Sequence, residues 1–235
     1  MSDIKIIHMN KKYLVAIKKP GMLAEESGDA LSLPLLVKKE LLERGDKESI
    51  YTVHRLDRQV GGLTLLARSP DSASYFTDLI AKREIVKRYL AVIKGVPEAP
   101  EGFYEDLLFR DSQKNKTYVV DRERKGVRDA KLSYRLIESK ETESGVLSLV
   151  EIRLYTGRTH QIRVQFASRK TPLYGDSRYG SGDKKDMPAL FAYSLSFNEK
   201  SGKEVSFSAS PEKIFPWTLF DFNAAALSEK YKDSP

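Results

Sequence analysis

The chain has 235 residues, with 40 lysines and arginines against 33 aspartates and glutamates, so its formal net charge is +7. It contains no cysteine, which excludes disulfides, thiolate zinc sites and cysteine nucleophiles. It also has neither the run of about 20 apolar residues that a membrane-spanning helix requires nor a secretion signal at its amino terminus. The composition predicts a cytoplasmic protein, and the basic balance favours a polyanionic partner such as nucleic acid.

Short strands and an amphipathic helix are predicted at the start of the chain. Alternating segments near Ile4–His8 and Tyr13–Ile17 predict two strands that end at the Lys19-Pro20-Gly21 turn. The leucine-rich segment 31–45 has charged residues opposite its apolar positions, which predicts a helix that closes at Gly45.

A strand, a helix and a second strand are predicted next. The apolar run Leu63–Ala67 predicts a strand. Ser69 followed by Pro70 is a good helix start, because serine caps free backbone amides and proline fits the first turn. Another strand is predicted from Tyr89 to Ile93 and ends before Gly95.

The second half of the chain is richer in strands. The region from Phe103 to Val150 is predicted to be β-rich and irregular, and it includes a basic stretch, Lys114–Lys131. A helix is predicted from Thr159 to Arg169, followed by strands around Phe191–Phe197 and Val205–Ser208 and by a terminal helix. Strands outnumber helices and follow one another through short turns, which predicts a largely antiparallel α+β fold.

Missing motifs exclude several familiar mechanisms. The sequence has no phosphate-binding P-loop, no dinucleotide-binding fingerprint and no G-x-S-x-G nucleophile elbow. Its three histidines, His8, His54 and His160, do not have the spacing of metal ligands. Carboxylate chemistry therefore remains as the candidate.

Two short segments concentrate polar residues beside turns: VHRLDRQVGGL at 53–63 and LYTGRTHQIRVQF at 154–166. Each contains one of the three histidines, which indicates that both line one polar site. Considered by themselves, the residues favour another interpretation, in which both segments are ion-paired turns that stabilise the fold, because structural networks also collect such residues.

The first of these segments, HRLDRQVGGL, resembles the central motif of the RluA-type family of RNA pseudouridine synthases. KKPGML resembles the lysine-proline-glycine turn of that family, and KRYLAVIKG resembles its K-x-Y segment. TGRTHQIRVQFASRKTPLYGDSRYG is similar to its T-G-R-T-H-Q-I-R and G-D-x-x-Y-G signature. The closing FPWTLF also resembles a tail found in some members, so the likeness extends in family order from about Lys12 to Phe220. Four ordered motifs are highly specific.

The sequence departs from the family pattern at a few positions. Val60-Gly61-Gly62 stands where Thr-Ser-Gly is usual, so a hydroxyl that supports the loop is missing. Gln165 and Phe191 stand where histidine is common. These differences leave the reaction intact and concern the contacts with RNA. Because the chain begins almost directly at the catalytic region, a small amino-terminal RNA-binding domain is expected to be absent.

The resemblance implies a pseudouridine synthase fold, which is α+β with a central, mostly antiparallel mixed sheet, flanking helices and loops, and an active-site cleft across the sheet. Residues 1–235 are expected to form a single catalytic domain that isomerises uridine to pseudouridine in structured RNA. The expected partner is a stem-loop of ribosomal or transfer RNA. The resemblance implies no cofactor and no metal, and the protein is predicted to be a cytoplasmic monomer without a membrane partner.

The same resemblance assigns roles to individual residues. Asp57 is the catalytic carboxylate, which attacks carbon 1 of the ribose or abstracts a proton from carbon 2. Arg163 is the expected countercharge of Asp57, and Tyr89 is expected to stack on uracil and to relay the carbon-5 proton. The target base must leave its stack, and Arg55 is expected to fill the vacated space or to hold a phosphate. The other predicted RNA-binding residues, which contact RNA or orient the loops, are His54, Arg158, His160 and Gln161.

Two functions from other classes are also compatible with the sequence. One is an RNA-binding protein that has lost catalysis, although the presence of Asp57, Tyr89 and Arg163 argues against it. The other is a carboxylate-based glycosidase, which needs a second acid roughly 5–10 Å from the first. No second carboxylate stands out in the motifs.

Overall fold

The computed structural model describes residues 4–28, 30–46, 49–182 and 187–231. The strands in these ranges are β1 (Lys5–Met9), β2 (Tyr13–Lys18), β3 (Tyr51–Thr52), β4 (Gly61–Ala67), β5 (Val86–Lys94), β6 (Glu101–Asp111), β7 (Lys116–Val120), β8 (Val127–Thr142), β9 (Gly145–Leu154), β10 (Leu190–Asn198) and β11 (Glu204–Ser208). The α-helices are α1 (Leu33–Glu43), α2 (Pro70–Ala81), α3 (Gln161–Ser168) and α4 (Ala224–Lys230), and 3-10 turns cover Ser177–Tyr179 and Trp217–Leu219. The chain divides into two compact units: unit 1 contains the residues up to Val86 together with Ala192–Ser210, and unit 2 contains the rest.

Unit 1 is an antiparallel sheet that is covered on both faces. β2 pairs with β1 and β4, β3 also pairs with β4, and β10 lies beside β4 and pairs with β11. Successive side chains of a strand point to opposite faces, so alternate residues of β2 enter different cores. Tyr13 and Val15 join Phe76 of α2, whereas Leu14 joins Leu33 of α1. Burial on both faces explains why β4 consists of glycine and apolar residues except for Thr64.

Both helices of unit 1 begin at a serine followed closely by a proline. The side chain of Ser69 accepts a hydrogen bond from the amide of Ser72 at 3.2 Å, and Ser32 accepts one from Leu35 at 3.4 Å. Each cap satisfies an amide that has no partner within the helix. The helix start predicted at Ser69 is therefore confirmed.

Unit 2 is an antiparallel sheet with the strand order β5-β9-β8-β6-β7. α3 packs on this sheet mainly through Phe166, whose ring centroid lies 5.2 Å from that of Tyr104 and 5.6 Å from that of Tyr134. Such edge-on aromatic pairs contribute about 0.5–1.5 kcal/mol each beyond the area that they bury. Val164, on the same helix, packs with Leu108 of β6.

The predicted mostly antiparallel α+β fold is confirmed, and the strands predicted outside the middle third lie close to observed ones. The middle third is β-rich, as predicted, but it is less irregular than predicted: β6 to β9 form a continuous antiparallel ladder in which β8 has 16 residues and one register shift between Leu136 and Glu138. Alternate side chains of β8 at Ala130, Leu132 and Tyr134 are buried, and the intervening Lys131 and Ser133 are only partly buried. A high density of charge had concealed this alternation.

The predicted helix Thr159–Arg169 is shorter in the structure. It begins at Gln161, because His160 has a φ of 56°, in the left-handed region that a right-handed helix cannot contain. No helix in the described part of the chain is long and apolar enough to cross a membrane. The assignment of residues 1–235 to a single catalytic domain stays a prediction.

Candidate active site

Asp57 lies in a turn of unit 1 between β3 and β4, and its side chain is half-buried. The turn closes on itself, because the amide of Val60 donates to the carbonyl of Asp57 at 3.0 Å. Two further hydrogen bonds join it to the Lys19-Pro20-Gly21 turn. The Gly21 amide donates to the Arg58 carbonyl at 2.8 Å, and Arg58 Nε donates to the Gly21 carbonyl at 2.9 Å. The KKPGML motif and the HRLDRQVGGL motif are therefore hydrogen-bonded to each other beside Asp57.

His54 fixes the beginning of the Asp57 turn against β4. Its Nε2 accepts a hydrogen bond from the amide of Leu65 at 2.9 Å. A backbone N–H can only donate, so Nε2 carries no proton and the neutral ring is protonated on Nδ1. The predicted contact of His54 with RNA stays a prediction, and the observed contact is one that orients the loop.

Arg55 is an exposed residue of the same segment. Its side chain is 61% exposed and pairs at 2.9 Å with Glu25, which is 55% exposed. Exposed ion pairs of this kind contribute only about 0–1 kcal/mol, because solvent screens them. The pair is therefore easily exchanged for another anion, which suits the phosphate contact predicted for Arg55.

Lys18 is a residue of this site that the sequence analysis missed. It is the last residue of β2 and is 0% exposed. Its ammonium donates to the carbonyls of Met22 at 2.8 Å, Arg58 at 3.1 Å and Lys19 at 3.2 Å. Burial lowers its pKa from 10.5 to about 8, whereas the charge of Asp57 raises the pKa and that of Arg58 lowers it.

A signal for Lys18 was present in the strand pattern. In YLVAIK, Lys18 occupies the same face as Leu14 and Ala16, and both of these residues are completely buried. A lysine at an apolar position of a strand indicates a buried charge with dedicated partners, because lysine is almost never fully buried without them.

Gly62 is the residue of Val60-Gly61-Gly62 that agrees with the usual Thr-Ser-Gly of the family. It is the second residue of β4 and has a φ of 129°, and a Cβ placed on it would lie 2.4 Å from both the amide nitrogen and the carbonyl oxygen of Ala192. No backbone atom can be approached this closely, so only glycine fits the position. Tight packing of β4 against β10 therefore requires glycine at position 62.

Tyr89 lies on β5 of unit 2 and is 6% exposed. It stands opposite Ile152 of β9, which in turn stands opposite Tyr134 of β8. Residues that are paired across strands share a face, so Tyr89 points to the face on which α3 packs. The preceding residue, Arg88, points to the other face and forms a buried ion pair with Glu151 at 2.9 Å.

Arg163 forms a bidentate ion pair with Asp176, the aspartate of the G-D-x-x-Y-G signature, to which the sequence analysis assigned no role. Nε and Nη2 of Arg163 donate to the two carboxylate oxygens of Asp176, both at 2.7 Å. The side chains are 2% and 0% exposed. Two parallel charge-assisted hydrogen bonds fix the orientation of the guanidinium plane. The predicted role of Arg163 as the countercharge of Asp57 stays a prediction.

The Asp176 loop continues into a network of hydrogen bonds at Tyr179. The amide of Tyr179 donates to Asp176 at 3.2 Å, and the Tyr179 hydroxyl contacts Nδ1 of His160 at 2.9 Å and accepts from the amide of Thr117 at 2.8 Å. Burial raises the pKa of Tyr179, so its hydroxyl stays protonated at neutral pH. His160 is thereby held in place from within the protein.

Gln161 closes the T-G-R-T-H-Q turn from inside. Its Oε1 accepts hydrogen bonds from Thr156 Oγ1 at 2.8 Å and from the amide of Arg158 at 3.1 Å, and its Nε2 donates to the carbonyl of Lys131 at 3.1 Å. Arg158 Nε donates to the Asp129 carbonyl at 2.8 Å. Direct RNA contacts of Gln161 and Arg158 stay predictions, and their observed contacts shape the turn.

The predicted residues thus fall into two groups, each described within its own unit. His54, Arg55 and Asp57 share one turn of unit 1, and this turn also involves Lys18. In unit 2, Tyr89 lies on β5. The other predicted residues of this unit lie around the start of α3: Arg158, His160, Gln161 and Arg163. Within the described ranges, no group of three or more histidine, aspartate or glutamate side chains is placed to hold a metal ion.

Replacing Asp176 with Asn should lower the free energy of unfolding by about 3–5 kcal/mol, because the change leaves the guanidinium of Arg163 buried without its carboxylate. Urea unfolding at neutral pH measures this. Asp121→Asn removes a carboxylate that is 87% exposed and is the matched control, with an expected change within about 0.5 kcal/mol. Equal effects of the two substitutions would contradict a stabilising role of the buried pair.

The sequence is similar to known proteins over most of its length. A family model described as RNA pseudouridylate synthase matches residues 12–168, which is more than half of the chain. An uncharacterized RNA pseudouridine synthase of Haemophilus influenzae is 28% identical over 207 residues, which are 83% of each chain. A ribosomal large subunit pseudouridine synthase C of Buchnera aphidicola is 29% identical over 72% of this chain and 51% of its own.

A relative from Zymomonas mobilis, described as an uncharacterized RNA pseudouridine synthase, is 32% identical over 69% of this chain and 74% of its own. Among solved structures, human RNA pseudouridylate synthase domain containing 1 has the same fold, with a TM-score of 0.80, 19% identity and coverage of 100% of this chain and 96% of that one. The match over residues 12–168 decides the family: this chain belongs to the RNA pseudouridylate synthases.

Proposed function

We propose that this protein isomerises specific uridines to pseudouridine in structured RNA and that Asp57 is its catalytic carboxylate. The family supports the reaction class. The observation that carries the assignment of Asp57 is the construction of its turn, in which a half-buried carboxylate sits on a backbone that is hydrogen-bonded to the Lys19-Pro20-Gly21 turn. A catalytic group needs this kind of rigid support, since small displacements are costly in rate.

The chemistry requires one well-placed carboxylate. The bond between nitrogen 1 of uracil and carbon 1 of the ribose breaks, the base rotates, carbon 5 bonds to the same ribose carbon, and the carbon-5 proton leaves. Asp57 would begin this sequence by attacking carbon 1 or by abstracting the proton on carbon 2. The proton that leaves carbon 5 is balanced by a proton that nitrogen 1 takes up, so the product has the same composition as uridine and the isomerisation consumes no second substrate.

Two residues of unit 2 complete the proposed catalytic set. Tyr89 offers a flat ring for stacking on uracil, and its hydroxyl is proposed to relay the carbon-5 proton. Arg163 is proposed to stabilise the negative charge of the reacting carboxylate, and its orientation is fixed by Asp176. We propose that the target uridine flips out of its stack and that Arg55 occupies the vacated space or holds a phosphate.

The proposed substrate is a stem-loop of ribosomal or transfer RNA. A basic segment of unit 2, the stretch Lys114–Lys131, supports an RNA contact, since it contains seven lysines and arginines against three aspartates and glutamates. Its exposed basic side chains are Lys114, Arg122, Arg124, Lys125 and Arg128. Tyr118, which is 36% exposed with Lys116 above its ring, adds an aromatic surface for a base.

The basic segment is attached to the T-G-R-T-H-Q turn and to the 3-10 turn Ser177–Tyr179. Thr117 Oγ1 donates to the Thr159 carbonyl of the first turn at 2.9 Å, and Arg178 Nη1 of the second turn donates to the Asn115 carbonyl at 2.9 Å. An RNA held by this segment would therefore be fixed relative to the motif residues of unit 2. Action as a monomer and location in the cytoplasm stay predictions.

Replacing Asp57 with Asn should abolish pseudouridine formation and leave RNA binding within about twofold. The amide keeps the shape of the side chain and removes the charge that the reaction needs. Tritium release from carbon-5-labelled uridine in RNA measures turnover, and it also separates a synthase from an RNA-binding protein and from a glycosidase that frees the base. Product formation by the purified Asn variant above a mock preparation would contradict the assignment.

Substitutions of Tyr89 separate its two proposed roles. Tyr89→Phe keeps the ring and should bind RNA normally while it releases tritium slowly, because only the hydroxyl is lost. Tyr89→Leu also loses the stacking face and should weaken binding by roughly 1–3 kcal/mol. Tritium release by the Phe variant at the wild-type rate would show that Tyr89 is only a stacking surface.

Removing three charges of the basic segment should weaken RNA binding and reduce its dependence on salt. The variant Lys114→Gln, Arg122→Gln, Lys125→Gln should lower the slope of log K against log salt by about 2–3, if each residue contacts one phosphate. The matched control removes three exposed lysines of unit 1: Lys5, Lys11 and Lys39. Equal slopes for the two triple variants in a filter-binding titration would contradict a specific role for the segment.

A further inference from the structure

Lys18 is buried in a position that does not require a charge. The other residues on its face of β2, Leu14 and Ala16, are apolar and completely buried. Transfer of an ammonium group from water into the protein interior is unfavourable unless hydrogen bonds and an opposite charge compensate. An apolar residue at position 18 would avoid this cost. The buried lysine therefore has a role that an apolar residue could not fill.

The surroundings of Lys18 fit its protonated form. An ammonium group has three N–H donors and no acceptor. These donors meet three carbonyl oxygens, those of Lys19, Met22 and Arg58, at 2.8 to 3.2 Å. A neutral amine would have two donors, and its lone pair would face the third carbonyl. The site therefore holds a positive charge rather than a neutral amine.

This charge is connected to Asp57 in two ways. The Arg58 carbonyl, which accepts from Lys18, belongs to the residue that follows Asp57 and also accepts from the amide of Gly21. The lysine thus restrains the backbone next to the carboxylate. The charges of Lys18 and Asp57 also attract each other. Since this attraction is mutual, it favours the ionised form of both groups.

We propose that Lys18 is a positioning residue for Asp57, a role that rests on the proposed function of Asp57 as the catalytic carboxylate. Its ammonium fixes the backbone at Arg58 and provides a buried positive charge that keeps Asp57 ionised and oriented. Lys18 contacts the turn and not the substrate, so it acts through Asp57.

The role makes the rate depend on pH in a defined window. The charged groups that act on Lys18 are Asp57 and Arg58, and its hydrogen-bond partners are neutral carbonyls. Lys18 loses its proton as the pH rises through about 8. The rate should therefore fall above this pH. The free energy of unfolding should instead rise over this range. Between about pH 8 and 10.5 the unfolded chain still binds the lysine proton that the folded chain has released, so a rise in pH favours the folded chain.

Single-turnover rates with saturating enzyme, measured across this window, test the role. Lys18→Met should reduce the neutral-pH rate by up to roughly 100-fold, the effect of a misplacement of about 1 Å, and should abolish the fall near pH 8. Lys18→Arg remains charged at alkaline pH and should retain more of the rate there than the Met variant. Lys11→Met, which removes an exposed charge near the start of β2, is the control and should keep the wild-type profile.

The opposite pH responses distinguish positioning from simple structural support. In the wild type, urea unfolding should show a free energy of unfolding that increases with pH through the window while the rate decreases. Lys18→Met should lose the fall in rate and should show a smaller rise in the free energy of unfolding, because the lowered pKa of Lys87 contributes a rise of the same sign. A Met variant with the wild-type rate and pH profile would overturn the proposal. So would a variant whose rate falls only in proportion to a loss of folded protein.

Titration of Lys18 in the protein without RNA tests its coupling to Asp57 independently of catalysis. Nitrogen NMR of labelled lysine in the free protein measures the pKa of Lys18 directly. Asp57→Asn should lower this pKa below its wild-type value of about 8, because the attraction of the carboxylate is lost. An unchanged pKa would overturn the coupling. Wild-type protein that forms no pseudouridine would overturn the proposed function, and the titration would still decide whether Lys18 and Asp57 are coupled.

Discussion

The buried pair of Arg163 and Asp176 organises unit 2, because a charge without access to water must be fully satisfied by the protein. Asp176 accepts both hydrogen bonds of the guanidinium fork and also the amide of Tyr179. The hydroxyl of Tyr179 then contacts His160 and holds Thr117. One ion pair thereby joins α3, the 3-10 turn after Asp176 and the edge strand β7 into a single arrangement.

Unit 1 also contains a buried cation, Lys18, but its hydrogen-bond partners differ from those of Arg163. Arginine presents a planar fork that matches the two oxygens of a carboxylate, whereas lysine presents three donors around one nitrogen. At Lys18 the partners are three backbone carbonyls from two loops. The two sites therefore require different residues, and exchange of lysine and arginine between them would not be conservative.

The sequence predicted what depends on local pattern and on motif. Strands such as Tyr13–Ile17 and Leu63–Ala67 were predicted because their apolar residues are contiguous or alternate, and the helix at Ser69 because its cap is local. The partners of the buried cations were not predictable in this way. Arg58 lies 40 residues from Lys18 and Asp176 lies 13 from Arg163, so neither pairing leaves a periodic signal in the sequence.

The motif segments contain side chains of two kinds, and the fold explains why they are adjacent. Arg55 is mostly exposed, whereas His54 beside it uses its ring to hold the backbone of β4. In unit 2, Gln161 is 2% exposed, and its side-chain amide forms hydrogen bonds that close the turn containing Arg158. The sequence favoured ion-paired turns, whereas His54 and Gln161 stabilise their turns by hydrogen bonds, and a polar site shared by both segments stays a prediction. A turn cannot present a reactive side chain in one orientation unless its neighbours satisfy the backbone groups that the turn leaves unpaired.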